Sequence, residues 1–375
     1  MDGGGDAGDG GHTGYDGGDA GLDAGGFQPA AHAAFPQIPN HGRASIASPQ
    51  LVTVTFQGAS TALHDFGDFI VGSHWLASVG ADYGVGQGSH LAAVSLDTTA
   101  PSHTTESQVG QLLIDLVLDG GLPPPALPDG GGNPMVIYMV GLPAGTSATF
   151  GGGPVCGSVG NGTSIGGFHW SASGSQMSFP FAVIPTCAGE GADEITEAAS
   201  HELIEAATDP FPNNGWILTD GSSPWSYLPG EVGDLCNLET TVEGTTTLQR
   251  IYSNTAATAG GSPCVPEPAT PYYGVTATPA EATVAAGAAF SFQLQAWSEQ
   301  AVAPWHLGWS ELGDFDAAPV LGTSSVQNGD QTTLSLTVPA AASSGSHVLV
   351  VIYSYLNPAA ELSDFSAWPV LLTVQ

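Results

Sequence analysis

His201, Glu202 and Glu205 are the residues of this chain whose types and spacing suit chemistry best. They stand in Ser200-His-Glu-Leu-Ile-Glu205, inside an Ala- and Glu-rich stretch, Asp193–Ala207, that reads as the strongest helix of the chain and that Pro210 stops. Helix positions four apart share a face one turn apart, so the imidazole of His201 and the carboxylate of Glu205 can grip one metal ion. Glu202 is rotated by ~100° from His201. It stands beside the pair, where a carboxylate can take a proton from an ion-activated water as general base. A third ligand is expected further along the chain, where Thr208-Asp209-Pro210 ends the helix and Gly230-Glu-Val-Gly-Asp-Leu-Cys236 follows. The second segment is preferred: it offers Asp234 or Glu231 as ligand, with the other carboxylate as the outer partner that orients it. His169, in Gly166-Gly-Phe-His-Trp170, is expected to be a packed or surface histidine rather than a ligand.

The pattern is therefore His-Glu-x-x-Glu, a variant of the His-Glu-x-x-His arrangement of zinc hydrolases, with Glu205 in the second histidine's place. Zinc accepts carboxylate oxygen, so the exchange is chemically permissible. It makes the site harder and more anionic, which weakens the acidification of bound water. An Ala- and Glu-rich helix also produces this pattern by chance, its carboxylates simply solvated. The two readings part on whether metal binds.

The longer segment Ala199-Ser-His-Glu-Leu-Ile-Glu-Ala-Ala-Thr-Asp-Pro210, then Gly215-Trp216, then Gly230-Glu-Val-Gly-Asp-Leu-Cys236, resembles the phosphate-induced/EXORDIUM-like family. That family has a helix of the form A-H-E-L-x-E, an N-P or D-P stop, a tryptophan, and E-I-G-D-x-C. Order and spacing agree here, while the resemblance is diffuse over the rest of 50–265 and does not reach the head or the tail. It implies a secreted relative of zincin-type metallopeptidases, with one zinc per chain on His201, Glu205 and one of Glu231 and Asp234, and Glu202 as base. The reaction it implies is metal-assisted hydrolysis of a peptide bond, on a peptide or cell-surface polymer substrate. The chain has no lysine and only two arginines, Arg43 and Arg250. Stabilising an oxyanion would thus fall to the metal, or to a Tyr or His such as Tyr227 or His169.

The elements that must position these residues are legible in part. Leu51–Phe56, Leu91–Leu96, Met135–Val140 and Phe179–Ile184 read as strands, and Leu63–Val79 as helix. Thr105–Leu118 has apolar residues at helical spacing and is stopped by Gly120-Gly121. The β-α-β-α-β order predicts a mixed α/β domain, zincin-like, over 45–265, with Gly145–Met177 irregular. After a proline-rich joint at Pro263–Pro271, alternation such as Phe290/Phe292/Leu294 and Leu334/Leu336/Val338 predicts an Ig-like antiparallel β-sandwich over 266–375. The whole is α+β.

Composition sets the class. Thirty-five acidic against two basic residues give a formal charge of −33, which excludes nucleic acid and anionic membranes as partners and favours cations. No apolar run is long enough for a transmembrane helix. Residues 1–44 are expected to be a disordered head and linker, the first 26 being nearly all Gly, Asp and Ala. The Asp spacing there lacks the closing acid and flanking helices of a calcium loop. Cys156, Cys187, Cys236 and Cys264 contain no C-x-x-C pair, and their order suggests Cys156–Cys187 and Cys236–Cys264 bridges. A monomer is expected, extracellular or anchored at the surface, for example through lipid, by a signal not visible in this chain. Gly162-Thr-Ser-Ile-Gly166 matches a nucleophile elbow without its strand and helix. The competing function is a non-catalytic adhesion or carbohydrate-binding protein, using Trp297, Trp305, Trp309 and Trp368 on the tail.

Overall fold

The computed structural model describes residues 27–126, 134–156, 166–219, 221, 223–228, 230–357 and 365–375, with the backbone alone of 158–159 and 163–164. The expectations for residues 1–26 and for the Ser164 side chain fall outside the described residues.

The first half is a five-stranded sheet built from β1 (Gln50–Thr55), β2 (Ser89–Ser95), β3 (Val136–Leu142), β4 (Phe168–Ser173) and β5 (Ser178–Pro185). Its order is β2-β1-β3-β5-β4; the first four are parallel, and β4 closes the edge antiparallel to β5. Every residue of β3 is buried, as are all but the first of β5. Such unbroken apolar runs belong to parallel strands covered on both faces. The helices are α1 (Ala62–Ile70), α2 (His74–Val79), α3 (Glu106–Leu118) and α4 (Ala192–Thr208). Alternation decides which helix each strand residue meets. Val54, Tyr138, Val140 and Phe181 pack with Val109 and Leu113 of α3, whereas Leu51, Ile137, Met139 and Ile184 pack with Leu63 of α1 and Leu203 of α4.

Sequence signals explain the helix ends. Thr105 and Gln108 form a reciprocal capping box at the start of α3. The expected helix 63–79 is broken into two because Ser73 caps a new one, its hydroxyl accepting from the Leu76 amide. At the start of α4, Glu194 accepts from the Gly191 amide, and an acid there also suits the helix dipole. Within α4, eleven residues from Ile195 to Thr208 are buried, Glu202 and Glu205 among them. Burying side chains such as Leu203 and Ile204 stabilises by about 1.5–3 kcal/mol each; packing, more than propensity, holds this helix in place.

The tail is a β-sandwich, as its alternation predicts. One sheet holds Tyr273–Thr278, Ala289–Ser298, Gln331–Thr337 and Val320–Leu321; the other holds Glu281–Val284, Phe365–Val374, His347–Tyr355, Trp305–Gly313 and Ser325–Val326. Both proposed disulfides are present. Two expectations are corrected. Residues 27–44 are not a free linker: Ile38 and Phe35 are buried, and the ring of Phe35 lies among Trp225, Tyr272, Trp297 and Trp368. Gly145–Met177 is not irregular throughout, because it contains the edge strand β4.

Candidate metal centre

The site is assembled from three pieces that meet over one face of α4. The helix supplies His201, Glu202 and Glu205, the loop 230–236 supplies Glu231 and Asp234, and edge strand β4 supplies His169. The loop is held at several points. Gly230 has φ +86°, and Leu218 donates to its carbonyl. Val232 is buried and accepts from the Tyr252 amide, and Cys236 is bridged to Cys264. Gly233 is required for the approach to the helix: a Cβ there would sit 2.8 Å from Glu205 Oε1 and 3.0 Å from His201 Nδ1.

Two sets of ligating atoms result. In the first, His201 Nε2 lies 3.1 Å from Glu205 Oε2 and 3.7 Å from Asp234 Oδ1. A tetrahedral zinc with bonds of about 2.0–2.1 Å separates its ligand atoms by roughly 3.3 Å, so these spacings suit a single ion. In the second, His169 Nδ1 lies 3.4 Å from Glu205 Oε2 and 3.6 Å from Glu202 Oε2. Within each set the ligand atoms all fall within 4.8 Å of one another, and Glu205 belongs to both.

The surroundings orient these groups. His201 Nδ1 donates to Gln249 Oε1 at 2.9 Å, while Gln249 Nε2 donates to the Gly233 carbonyl at 2.8 Å. The second bond fixes which way the amide points; the first leaves His201 Nε2 to face the carboxylates, as a metal ligand must. Glu205 Oε1 accepts from the Gly233 and Asp234 amides at 3.1 and 3.2 Å, which frees Oε2 for an ion. Glu202 stands beside the first set, its Oε1 4.0 Å from His201 Nε2.

Burial and mutual charge set the electrostatics of the cluster. Burial pushes the carboxyls of Glu202 and Glu231 up, and that of Asp234 to about 7 with the Glu205 charge adding to the effect. Glu205 is the exception: burial would raise it, but the two histidines and the hydrogen bonds they offer hold it down, at about 2. Burial would lower both histidines, but the surrounding carboxylates raise them well above the ordinary value. The buried carboxylates thus favour the charged form of the imidazoles beside them. Neither arginine contributes: Arg43 lies over the Phe211 ring, and Arg250 lines a small cleft with Glu239 and Tyr272. His169 Nε2 and Glu231 Oε1 are buried without a hydrogen-bond partner, facing each other at 3.4 Å.

Each sequence-predicted residue thus has a place. Asp234 joins His201 and Glu205, and Glu231 faces His169 instead. The Asp209 carboxylate is taken up by the amides of Asn213, Asn214 and Gly215, as a cap on the turn after α4. Tyr227 is directed elsewhere, its ring against His347. His169, expected to be packed or at the surface, is buried within the cluster. Gln249 gave no sequence signal at all. Of the four tail tryptophans offered for ligand binding, Trp297, Trp305 and Trp368 are buried and only Trp309 is exposed.

No family model matches the chain, and no curated protein matches it. Among solved structures, domains 4 and 5 of the S-layer protein SbsC match 28% of this chain and 53% of that one, with 13% identity and a TM-score of 0.21. A chain from a structure on T cell specificity and activation by the bacterial superantigen toxic shock syndrome toxin-1 matches 28% of this chain and 100% of its own length, with 14% identity and a TM-score of 0.20. Domain 1 of VCBP3 from Branchiostoma floridae matches 28% of this chain and 97% of its own, with 16% identity and a TM-score of 0.19. Scores this low carry no argument about function, and only about half of the S-layer chain is spanned. No helix among the described residues is long and apolar enough to cross a membrane, and the two disulfides suit an oxidising, extracellular environment.

Proposed function

We propose that this chain is an exported zinc-dependent hydrolase of the zincin-like metallopeptidase type, with a β-sandwich as accessory module. The observation that carries the reading is the convergence of His201 Nε2, Glu205 Oε2 and Asp234 Oδ1, with His201 oriented by Gln249 and Glu202 beside them. The donor set of one imidazole and two carboxylates is one that zinc accepts. The gathering of a second imidazole, His169, against Glu202, Glu205 and Glu231 in the same cluster further supports a site suited to cations.

Zinc bound there supplies Lewis acidity and lowers the pKa of water. Glu202 takes the proton of the attacking water and returns it to the leaving amine; burial raises its carboxyl, which suits it to both transfers. Gln249 keeps His201 in the ligating tautomer, and the Gly233 and Asp234 amides keep Glu205 from rotating. Peptides or a cell-surface polymer are the substrate class. The phosphate-induced/EXORDIUM-like resemblance and a surface anchor for the Gly/Asp-rich head belong to the same proposal.

Metal analysis of the purified protein tests it, wild type beside His201→Ala, followed by peptide hydrolysis with Glu202→Gln. Bound zinc in the wild type, lost in His201→Ala, supports the site. A rate lowered at least about 100-fold in Glu202→Gln fits a general base. A protein that takes up no metal on reconstitution sinks the proposal.

A further inference from the structure

We propose that the cluster carries a second divalent-cation site, formed by His169 Nδ1, Glu202 Oε2 and Glu205 Oε2, and that filling it withdraws Glu202 from proton transfer and shuts hydrolysis down. The inference rests on the zinc reading of the first set and adds a regulatory ion to it.

Geometry supplies the first argument. The two sets draw their imidazoles from different elements, His201 from the helix and His169 from the edge strand, and they share only Glu205. Glu202 reaches toward both, Oε1 to the His201 side at 4.0 Å and Oε2 to His169 at 3.6 Å. An ion between His169 and Glu202 therefore ties up the carboxylate that otherwise serves as base. The close approach of β4 to the helix is built in: a Cβ on Gly167 would meet Glu202 Cγ and Oε1 at 3.0 Å and the Val183 carbonyl at 3.1 Å.

Charge supplies the second. Glu202, Glu205, Glu231 and Asp234 are four carboxylates in one buried cluster, in a chain without lysine and with both arginines placed elsewhere. One divalent ion neutralises half of that charge when all four are ionised; two neutralise it fully.

The other ring nitrogen of His169 is placed to support such an ion. His169 is almost wholly buried, and its Nε2 has no hydrogen-bond partner although Glu231 Oε1, equally orphaned, lies 3.4 Å away. An ion on Nδ1 fixes the ring proton on Nε2, aimed at Glu231. That completes a carboxylate–histidine–metal arrangement of the kind that orients ligating imidazoles.

The test titrates the full chain with Zn²⁺ under equilibrium dialysis, counts ions by mass spectrometry, and follows peptide hydrolysis in the same samples. Two ions per chain are expected, filling in two steps, with the rate falling about 100-fold across the second, the lower end of what a general base contributes. His169→Ala should stop at one ion, whose retention reports a folded site, and lose the fall in rate. Mn²⁺ in the wild type gives an independent reading: an exchange-coupled electron paramagnetic resonance spectrum from a pair, an isolated six-line spectrum from one ion. A wild type that saturates at one ion, or a His169→Ala protein that still binds two, overturns the second site and leaves the catalytic one standing. No ion in the wild type overturns both.

Discussion

Gln249 and Gly233 show how much of the centre depends on residues that would never touch the ion. Gln249 links His201 to the loop carbonyl of Gly233, so one side chain sets both the tautomer of a ligand and the position of the segment carrying Asp234. Gln249→Leu keeps the volume and removes both bonds. Its zinc affinity, measured by competition with a chromophoric chelator, should fall 10–100-fold, as for other outer-shell partners of metal ligands. Unchanged affinity would mean that packing alone orients His201. Gly233→Ala acts through space: the added methyl meets Glu205 Oε1 at 2.8 Å and His201 at 3.0 Å, and both are held. The loop must move away, so we expect a loss of about 1–3 kcal/mol in denaturant unfolding together with weakened zinc binding. Gln249 was not legible in sequence, and Gly233 only as part of the Gly230–Cys236 motif, because each acts through a contact between segments remote in the chain. His201, Glu202 and Glu205 were legible because their relation is local, fixed by helical periodicity alone.

At the scale of elements, the parts read correctly were those with a strong periodic signature. The runs at Leu51–Phe56 and Phe179–Ile184 are buried throughout, Thr53 and Thr55 included, because helices cover the sheet on both faces. Strand β4 was missed: Phe168-His-Trp-Ser-Ala-Ser173 is short, half polar and embedded in Gly and Ser, and it becomes a strand by pairing with β5, Ala182 opposite His169. Missing the strand meant missing its histidine. Two elements offer tests of what holds the site's frame. The Cys236–Cys264 bridge closes a loop with a sequence separation of 28 and starts two residues after Asp234. Replacing both cysteines with serine should cost about 3–4 kcal/mol by loop-closure entropy, read from urea midpoints, and should weaken zinc binding more than loss of Cys156–Cys187 does. Asp82 pins the turn after α2 to the helix starting at Asn254, accepting from Ser253 Oγ, the Thr255 amide and Thr255 Oγ1 at 2.6–2.9 Å. Burial would raise its pKa, but these bonds outweigh burial and lower it below the ordinary aspartate value. The unfolded chain then binds the proton more tightly than the folded one. Asp82 contributes stability above the unfolded pKa and loses it as pH falls through the lower folded value. Asp82→Asn should flatten the stability–pH curve in that acidic window and leave its shape near neutrality unchanged; an unaltered acid limb would show that the hydrogen bonds do not favour the ionised form.

Across the whole molecule, the sheet domain and the sandwich share a continuous core, and residues 27–44 pack into the joint between them. Residues 27–44 look unstructured in sequence because their apolar residues follow no helix or strand period; the partners of this segment lie up to 300 residues away, as in the bonds between Gln28 and Ala30 and the side chain of Asn328. His32 stacks on Trp297 with centroids 3.7 Å apart, and Phe35 lies 5.7–6.4 Å from the rings of Trp225 in the first domain and Tyr272, Trp297 and Trp368 in the tail. This arrangement also explains why those tryptophans are buried instead of offered to a ligand. Truncating Phe35 leaves a void bordered by both domains, so Phe35→Ala should cost about 3–5 kcal/mol, and the cost should fall on their coupling. Calorimetry of the wild type should give one cooperative transition. The variant should give two, with only the transition of the sheet domain moving upward when zinc is added, because a ligand stabilises the unit that binds it. If Phe35→Ala melts in a single transition that zinc shifts as a whole, the remaining contacts, such as Trp225 edge-on to Trp368 at 5.6 Å, suffice to join the halves, and the N-terminal segment is a passenger on a joint made without it.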